Sequence, residues 1–144
     1  MTAKEYLSQA YRVDCMINAK LEQVRSLREL LVKANSTLSD TPRSAAPNIH
    51  RMENIIADIV DLENEINSGI HKLVCLKRDI MDIIKSVENP EQRAMLELRY
   101  LCFMSWEQIA SELHYSDGYI YQMHNRILKK LNDKLRVLKV SRQV

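Results

Sequence analysis

The side chains with the clearest chemistry lie near the C-terminal end, where amide and cationic groups recur at helical spacing. Gln122 and Asn125 each carry an amide that can hydrogen-bond two edge atoms of adenine in the major groove. Arg126, Lys129 and Lys130 follow one to two turns later, where cations would contact backbone phosphates. This pattern predicts a helix that reads double-stranded DNA with its first turns and contacts phosphates beyond them.

The distribution of charge also indicates that the C-terminal end of the chain is the region that binds a partner. Residues 116–144 hold seven Lys or Arg against two Asp, a net charge of +5, whereas residues 1–115 carry −3. A chain polarised in this way favours a polyanionic partner at its C-terminal end. A solvated basic helix face is the alternative that charge alone leaves open.

Other kinds of chemistry lack the residues that they need. The histidines form no i, i+4 pair, and the odd number of widely spaced cysteines forms no C-x-x-C pair. These residues are His50, His71, His114, His124, Cys15, Cys75 and Cys102. No nucleophile–base pair or phosphate-binding loop is recognisable either. We therefore expect no enzymatic activity, no metal site and no cofactor.

Length and composition predict an all-α protein. The chain has 144 residues with only two glycines and three prolines, too few turn residues for most sheet folds. Hydrophobic residues make up 46% and charged residues 28%, which is too apolar for a disordered chain. No apolar run approaches the roughly 18 residues of a membrane span, and the first residues lack the hydrophobic stretch of a signal peptide. We expect a cytoplasmic protein with no membrane partner.

Residues 1–88 predict a long, coiled-coil-like helical hairpin. Apolar residues recur at heptad spacing from Ala3 to Leu38, with one flaw at Lys20. Polar residues and two prolines then predict a linker near residues 37–47. A second helix should run from about Asn48 to Val87, and ten of its eleven a and d positions are apolar.

The apolar face of the second helix is wider than the packing of a simple hairpin needs. The one a or d position that is not apolar is Gly69, which would permit a close helix crossing or a bend, or merely weaken the helix. Ile56, Ile70 and Ile84 add apolar e positions. The hairpin is therefore expected to leave an apolar strip for a second copy, which predicts a homodimer through the N-terminal helices. An intramolecular bundle is the alternative.

Residues 89–144 predict a helix-turn-helix module. Asn89 and Ser105 are typical N-cap residues, and Ser105 opens a short helix. His114 stands at a tight turn, where His tolerates positive φ better than most residues. Ser116 then opens a longer helix that should bury one face, at Ile120, Met123, Ile127 and Leu131. A short helix, a turn of about three residues and a long basic helix form this DNA-binding layout.

Five short segments between residues 90 and 135 share their register and spacing with a known module. They are Leu96-Glu-Leu-Arg-Tyr100, Ser105-Trp-Glu-Gln-Ile-Ala110, Leu113-His-Tyr-Ser116, Ile120-Tyr-Gln122 and Leu128-Lys-Lys-Leu131. Together they resemble region 4 of sigma-70-type factors. The whole layout is similar to small phage transcriptional regulators of the RinA/ArpU late-activator group. Sigma region 2 has no counterpart here, so an independently acting sigma factor is not expected.

The resemblance also implies which residues face DNA. Positions 117, 118, 121 and 122 match those that sigma region 4 uses on the promoter −35 element. Only Gln122 keeps a typical side chain there, so the target is expected to be a phage-specific sequence. The full set of predicted DNA-binding residues is Asp117, Gly118, Tyr119, Tyr121, Gln122, Asn125, Arg126, Lys129 and Lys130.

These features predict a sequence-specific DNA-binding transcriptional regulator, expected to activate phage or prophage genes and to lie on the nucleoid of a bacterial host. One small module offers few base contacts, so a dimer would read two half-sites, or a single site would adjoin RNA polymerase as a further partner. Two alternatives stay open. One is a small-terminase-like DNA-packaging subunit, and the other is a polymerase-binding adaptor or anti-sigma-like protein.

Overall fold

The computed structural model describes residues 1–38 and 45–142, with side chains over 1–36 and 49–136. Within these ranges the chain forms six α-helices and no strand. The helices are α1 (Ala3–Leu7), α2 (Gln9–Leu38), α3 (Ala45–Lys85), α4 (Pro90–Tyr100), α5 (Trp106–Leu113) and α6 (Asp117–Arg142). The predicted all-α class is confirmed.

The first predicted helix, Ala3 to Leu38, is interrupted after five residues, at Ser8. Ser8 lies between α1 and α2 with φ −80° and ψ −5°, and its hydroxyl donates a hydrogen bond of 2.6 Å to the Lys4 carbonyl oxygen. A serine that bonds back to the carbonyl four residues earlier competes with the helical ladder and often bends it. This local competition accounts for the break that heptad spacing alone did not predict.

The linker predicted at residues 37–47 is shorter than expected. Helix α2 continues to Leu38 and α3 already begins at Ala45, while residues 39–44 lie outside the described residues. Pro47 was expected to exclude helix, yet it falls in the first turn of α3. That turn tolerates proline because its N–H groups have no intrahelical acceptor. Helix α3 then ends at Lys85, two residues before the predicted Val87.

One compact unit spans Val13–Leu73 and contains most of α2 and α3. The two helices run antiparallel, since Ile17 lies against Gly69 while Arg28, further along α2, pairs with Glu63 at 2.6 Å. A Cβ atom added at Gly69 would lie 3.0 Å from Cγ1 of Ile17, so this glycine permits the close crossing. Lys20 at the flawed heptad position bonds Glu65 across the hairpin at 3.3 Å.

The other compact unit joins Met1–Arg12 to Val74–Val144. Its core is formed by residues that are at most 4% exposed, including Leu7, Ile80, Ile84, Met95, Leu96, Ile109, Ile120, Ile127 and Leu131. The backbone N–H of Ala3 donates a 2.7 Å hydrogen bond to Oδ1 of Asn132, which holds α1 against α6. Sequence periodicity did not predict that the first twelve residues belong with the C-terminal helices. The functional division at residue 88 stays a prediction.

None of the helices in the described part of the chain combines the length and the apolar character of a membrane span.

Candidate nucleic-acid interface

Two capped short helices support the start of α6. Asn89 accepts hydrogen bonds from the backbone N–H groups of Glu91 and Gln92 at 2.9 and 3.2 Å, which fixes the start of α4. Ser105 and Gln108 form a reciprocal capping box at the start of α5, with bonds of 3.2 and 3.1 Å. Such caps replace the missing intrahelical partners of the first turn. Both predicted caps are confirmed.

The connection from α5 to α6 has three residues, 114–116. His114 adopts the left-handed conformation, with φ 60° and ψ 40°, as the sequence predicted. The N–H of Tyr115 then donates to the Ala110 carbonyl at 3.0 Å and closes the end of α5. Ser116 accepts from the Tyr119 N–H at 3.3 Å, so its hydroxyl caps α6. Local hydrogen bonds thus set the angle at which α6 begins.

Helix α6 has one buried face and one exposed face. The four residues predicted to point inward, Ile120, Met123, Ile127 and Leu131, are at most 6% exposed. All nine predicted DNA-binding residues are exposed; they are Asp117, Gly118, Tyr119, Tyr121, Gln122, Asn125, Arg126, Lys129 and Lys130. At 100° per residue, the residues around Gln122 lie opposite the buried face. The structure therefore brings the predicted set together on one surface, which we call the α6 face.

The cations of the α6 face are not neutralised by the rest of the described chain. Arg126, Lys129 and Lys130 take part in none of the ion pairs among the described residues. Lys139 and Arg142, which contribute to the predicted basic charge, lie outside the residues with described side chains. Unpaired, exposed cations on one side of a helix create a positive surface that attracts polyanions.

Aromatic contacts flank the first turns of α6. The ring of Tyr119 packs on Tyr115 at 4.7 Å, and the Tyr115 hydroxyl donates to a carboxylate oxygen of Glu91. That hydrogen bond raises the pKa of Tyr115, because the protonated phenol is the donor. On the other flank, Tyr121 packs on Trp106 at 5.6 Å. Tyr119 and Tyr121 remain 45% and 49% exposed, so each has a free surface for a partner.

A buried polar pair that residue spacing did not predict lies beneath this face. Nε2 of His124 and the Tyr100 hydroxyl share a 2.5 Å hydrogen bond, and His124 is only 4% exposed. Burial, with Lys4 and Arg99 as smaller causes, lowers the pKa of His124 to about 4. Burial likewise raises the pKa of Tyr100 to about 12. Both groups are therefore neutral at pH 7, which suits a hydrogen bond in the core.

The predicted absence of a metal site rested on the spacing of His and Cys. Among the described residues, no group of three or more His, Cys, Asp or Glu is placed to hold an ion. Cys15, Cys75 and Cys102 are free, exposed thiols.

A family model with the description "Protein of unknown function (DUF1492)" matches residues 44–132, more than half of the chain. This chain belongs to the DUF1492 family. The DUF1492 match includes α4, α5 and α6 as far as residue 132, so the whole α6 face lies within it. No curated protein and no solved structure matches the chain.

Proposed function

We propose that this DUF1492 protein is a sequence-specific DNA-binding transcriptional regulator that places the α6 face in the major groove. The observation that carries the proposal is the arrangement of α6: polar base-reading side chains around Gln122, then three unpaired cations one to two turns further on. Amides near the helix start suit base edges, and cations beyond them suit phosphates. The three-residue turn and the capped α5 supply the support that such a helix needs.

The proposal extends to phage or prophage genes as the target and to activation as the effect. The target and the effect are proposed because residues 90–135 share their pattern with sigma region 4. The same pattern suggests RNA polymerase as a neighbour on the promoter. In this role the protein would act in the bacterial cytoplasm, on the nucleoid. A packaging subunit or a polymerase adaptor would use the same helices differently, and the experiment below separates them.

Selection of bound fragments from a phage genome library, with purified protein at physiological salt, tests this function. We expect enrichment of sites upstream of late or lysis operons, and activation of a reporter joined to those sites. Enrichment beside terminase genes, without promoter activity, would indicate a packaging subunit instead. If a folded protein enriches no fragment, the DNA-binding proposal is wrong and the polymerase-binding adaptor takes its place.

Gln122→Ala should relax sequence preference at one base pair. Loss of an amide that bonds adenine is expected to cost about 1–3 kcal/mol of discrimination at that position and little elsewhere. Binding to a panel of single-base variants of the enriched site measures this. Gln23→Ala, at an exposed glutamine of α2, is the matched control and should keep the parent's preference. An unchanged preference in Gln122→Ala would show that α6 does not read bases.

A homodimer is the proposed assembly, and the hairpin unit offers a surface for it. Leu21 and Val32 of α2 are 48% and 67% exposed, and Ile56, Val60 and Ile70 of α3 are 45–48% exposed. Viewed along its own helix from the N-terminus, each of these residues is rotated away from the line of buried residues in the same sense, by roughly 20–100°. When two antiparallel helices face one another, a rotation in the same sense along each chain places both sets of side chains on the same side of the hairpin. These five residues thus form one exposed apolar face, as pairing through the hairpin requires.

Ile56→Glu is expected to convert the dimer to a monomer at micromolar concentration, because the charge would be buried at the proposed interface. Sedimentation equilibrium measures the molar mass in solution. Leu30→Glu is the matched control: Leu30 is 47% exposed but displaced in the opposite sense on α2, so this variant should remain dimeric. A monomeric parent chain would favour the intramolecular alternative.

A further inference from the structure

A cleft of about 390 Å³ lies beside the α6 face, within the unit that joins Met1–Arg12 to Val74–Val144. Five helices line it, since Lys4 belongs to α1, Tyr11 to α2, Arg99 to α4, Trp106 to α5 and Tyr121 to α6. No carboxylate is among its described lining residues. The floor includes the buried imidazole of His124. A cleft of this size, in which aromatic rings lie beside polar and cationic groups, is typical of small-ligand sites.

The two cations of the cleft have no acidic partner. Neither Lys4 nor Arg99 takes part in the ion pairs among the described residues. Arg99 instead donates to the Met104 carbonyl at 3.0 Å, and its guanidinium lies 4.5 Å above the Trp106 ring. Both cations also contribute to the lowered pKa of His124, which shows that their positive field reaches the floor. An anion entering the cleft would find two unneutralised positive charges.

Aromatic rings supply the other half of the recognition. Trp106 lies 4.4 Å from His124 and 5.6 Å from Tyr121, so three rings form a continuous aromatic wall. Tyr11 packs edge-on against Phe103 at 5.6 Å on the lining contributed by α2 and the turn after α4. Tyr11 and Tyr121 are 53% and 49% exposed, which leaves ring surface for a planar ligand. Such a ring stacks a base without selecting its identity.

We infer that this cleft binds a nucleoside phosphate, with the base against the aromatic wall and the phosphate between Lys4 and Arg99. The ligand should be both planar and negatively charged, because the aromatic wall and the cations lie in one cavity. The same chemistry has two sources, a free nucleotide or an unstacked nucleotide of a DNA strand. The inference does not require α6 to read duplex DNA, so the two proposals can fail separately.

Trp106 is the only tryptophan of the chain and lines the cleft, so its fluorescence reports directly on occupancy. The full chain is titrated with adenosine monophosphate, with adenosine and with inorganic phosphate, and separately with a short single-stranded oligonucleotide. We expect saturable quenching by the monophosphate, binding of adenosine weaker by about tenfold, and competition by inorganic phosphate without quenching. Quenching by the oligonucleotide alone would identify DNA as the source of the ligand.

Two variants connect the signal to the cleft. Lys4→Gln removes one cation at an exposed position and should weaken binding of the monophosphate about threefold, which is less than the loss of the whole phosphate because Arg99 remains. Tyr11→Leu keeps an apolar side chain without the ring and should weaken all ligands that carry a base. Lys129→Gln is the matched control, since Lys129 does not line the cleft; it should bind nucleotide as the parent does and duplex DNA less tightly. Absence of saturable quenching by every nucleotide ligand, or equal binding of adenosine and its monophosphate, would overturn the inference.

Discussion

Replacement of Arg126, Lys129 and Lys130 together by Gln is expected to weaken duplex DNA binding about a hundredfold at physiological salt. Each phosphate contact releases about 0.9 of a counterion, so the slope of log affinity against log salt should become shallower by roughly three. The loss should be nearly uniform across DNA sequences, because phosphate contacts carry no base information. Fluorescence anisotropy of a labelled duplex, measured over a series of salt concentrations, gives both the affinity and the slope.

A second triple variant controls for net charge. Lys72, Arg78 and Lys85 are exposed on α3, and their replacement by Gln removes the same total charge elsewhere in the chain. This variant should keep the salt slope of the parent. Equal losses in the two triple variants would show that DNA responds to overall charge and not to the α6 face. An unchanged affinity in the first variant would place the DNA contact elsewhere.

Sequence reasoning succeeded where short-range interactions decide the structure. The capping box of Ser105 and the left-handed conformation of His114 depend on neighbours within a few residues, so residue type and spacing sufficed. The buried side of α6 follows from helical periodicity, which placed Ile120 and Leu131 in the core. Exposure of the whole predicted DNA-binding set follows from the same periodicity. Whether these exposed residues contact DNA is what the charge-removal variants test.

The features that sequence reasoning missed depend on residues far apart in the chain. The hydrogen bond between Tyr100 and His124 joins α4 to α6, and the Ala3–Asn132 bond joins α1 to α6. Periodicity assigns a residue to a face but does not say which helix covers that face. Phe103 is a further case: its φ of 59° is unusual for an aromatic residue, and no local signal marks it. The aromatic cleft arises entirely from such long-range contacts.

The Tyr100–His124 pair should make the stability of the protein fall steeply with acidification. The pKa of His124 is lowered from its ordinary 6.5 to about 4, so the folded state binds this proton less readily than the unfolded state does. Stability is therefore fully present above pH 6.5 and is lost as the pH falls through 6.5 towards 4. By a pH of about 5 the loss from this group alone is about 2 kcal/mol. Tyr100, with a pKa of about 12, stays neutral throughout this window.

Urea denaturation at a series of pH values between about 7 and 5 measures this loss. His124→Gln retains an acceptor for the Tyr100 hydroxyl but cannot titrate, so its stability should fall by about 2 kcal/mol less than that of the parent over this range. His71→Gln removes an exposed histidine of α3 and should lose stability as steeply as the parent. The other ionisable groups are common to the parent and His124→Gln, so the difference between these two proteins isolates His124. Parallel curves for the parent and His124→Gln would contradict the lowered pKa of His124 that burial is expected to cause.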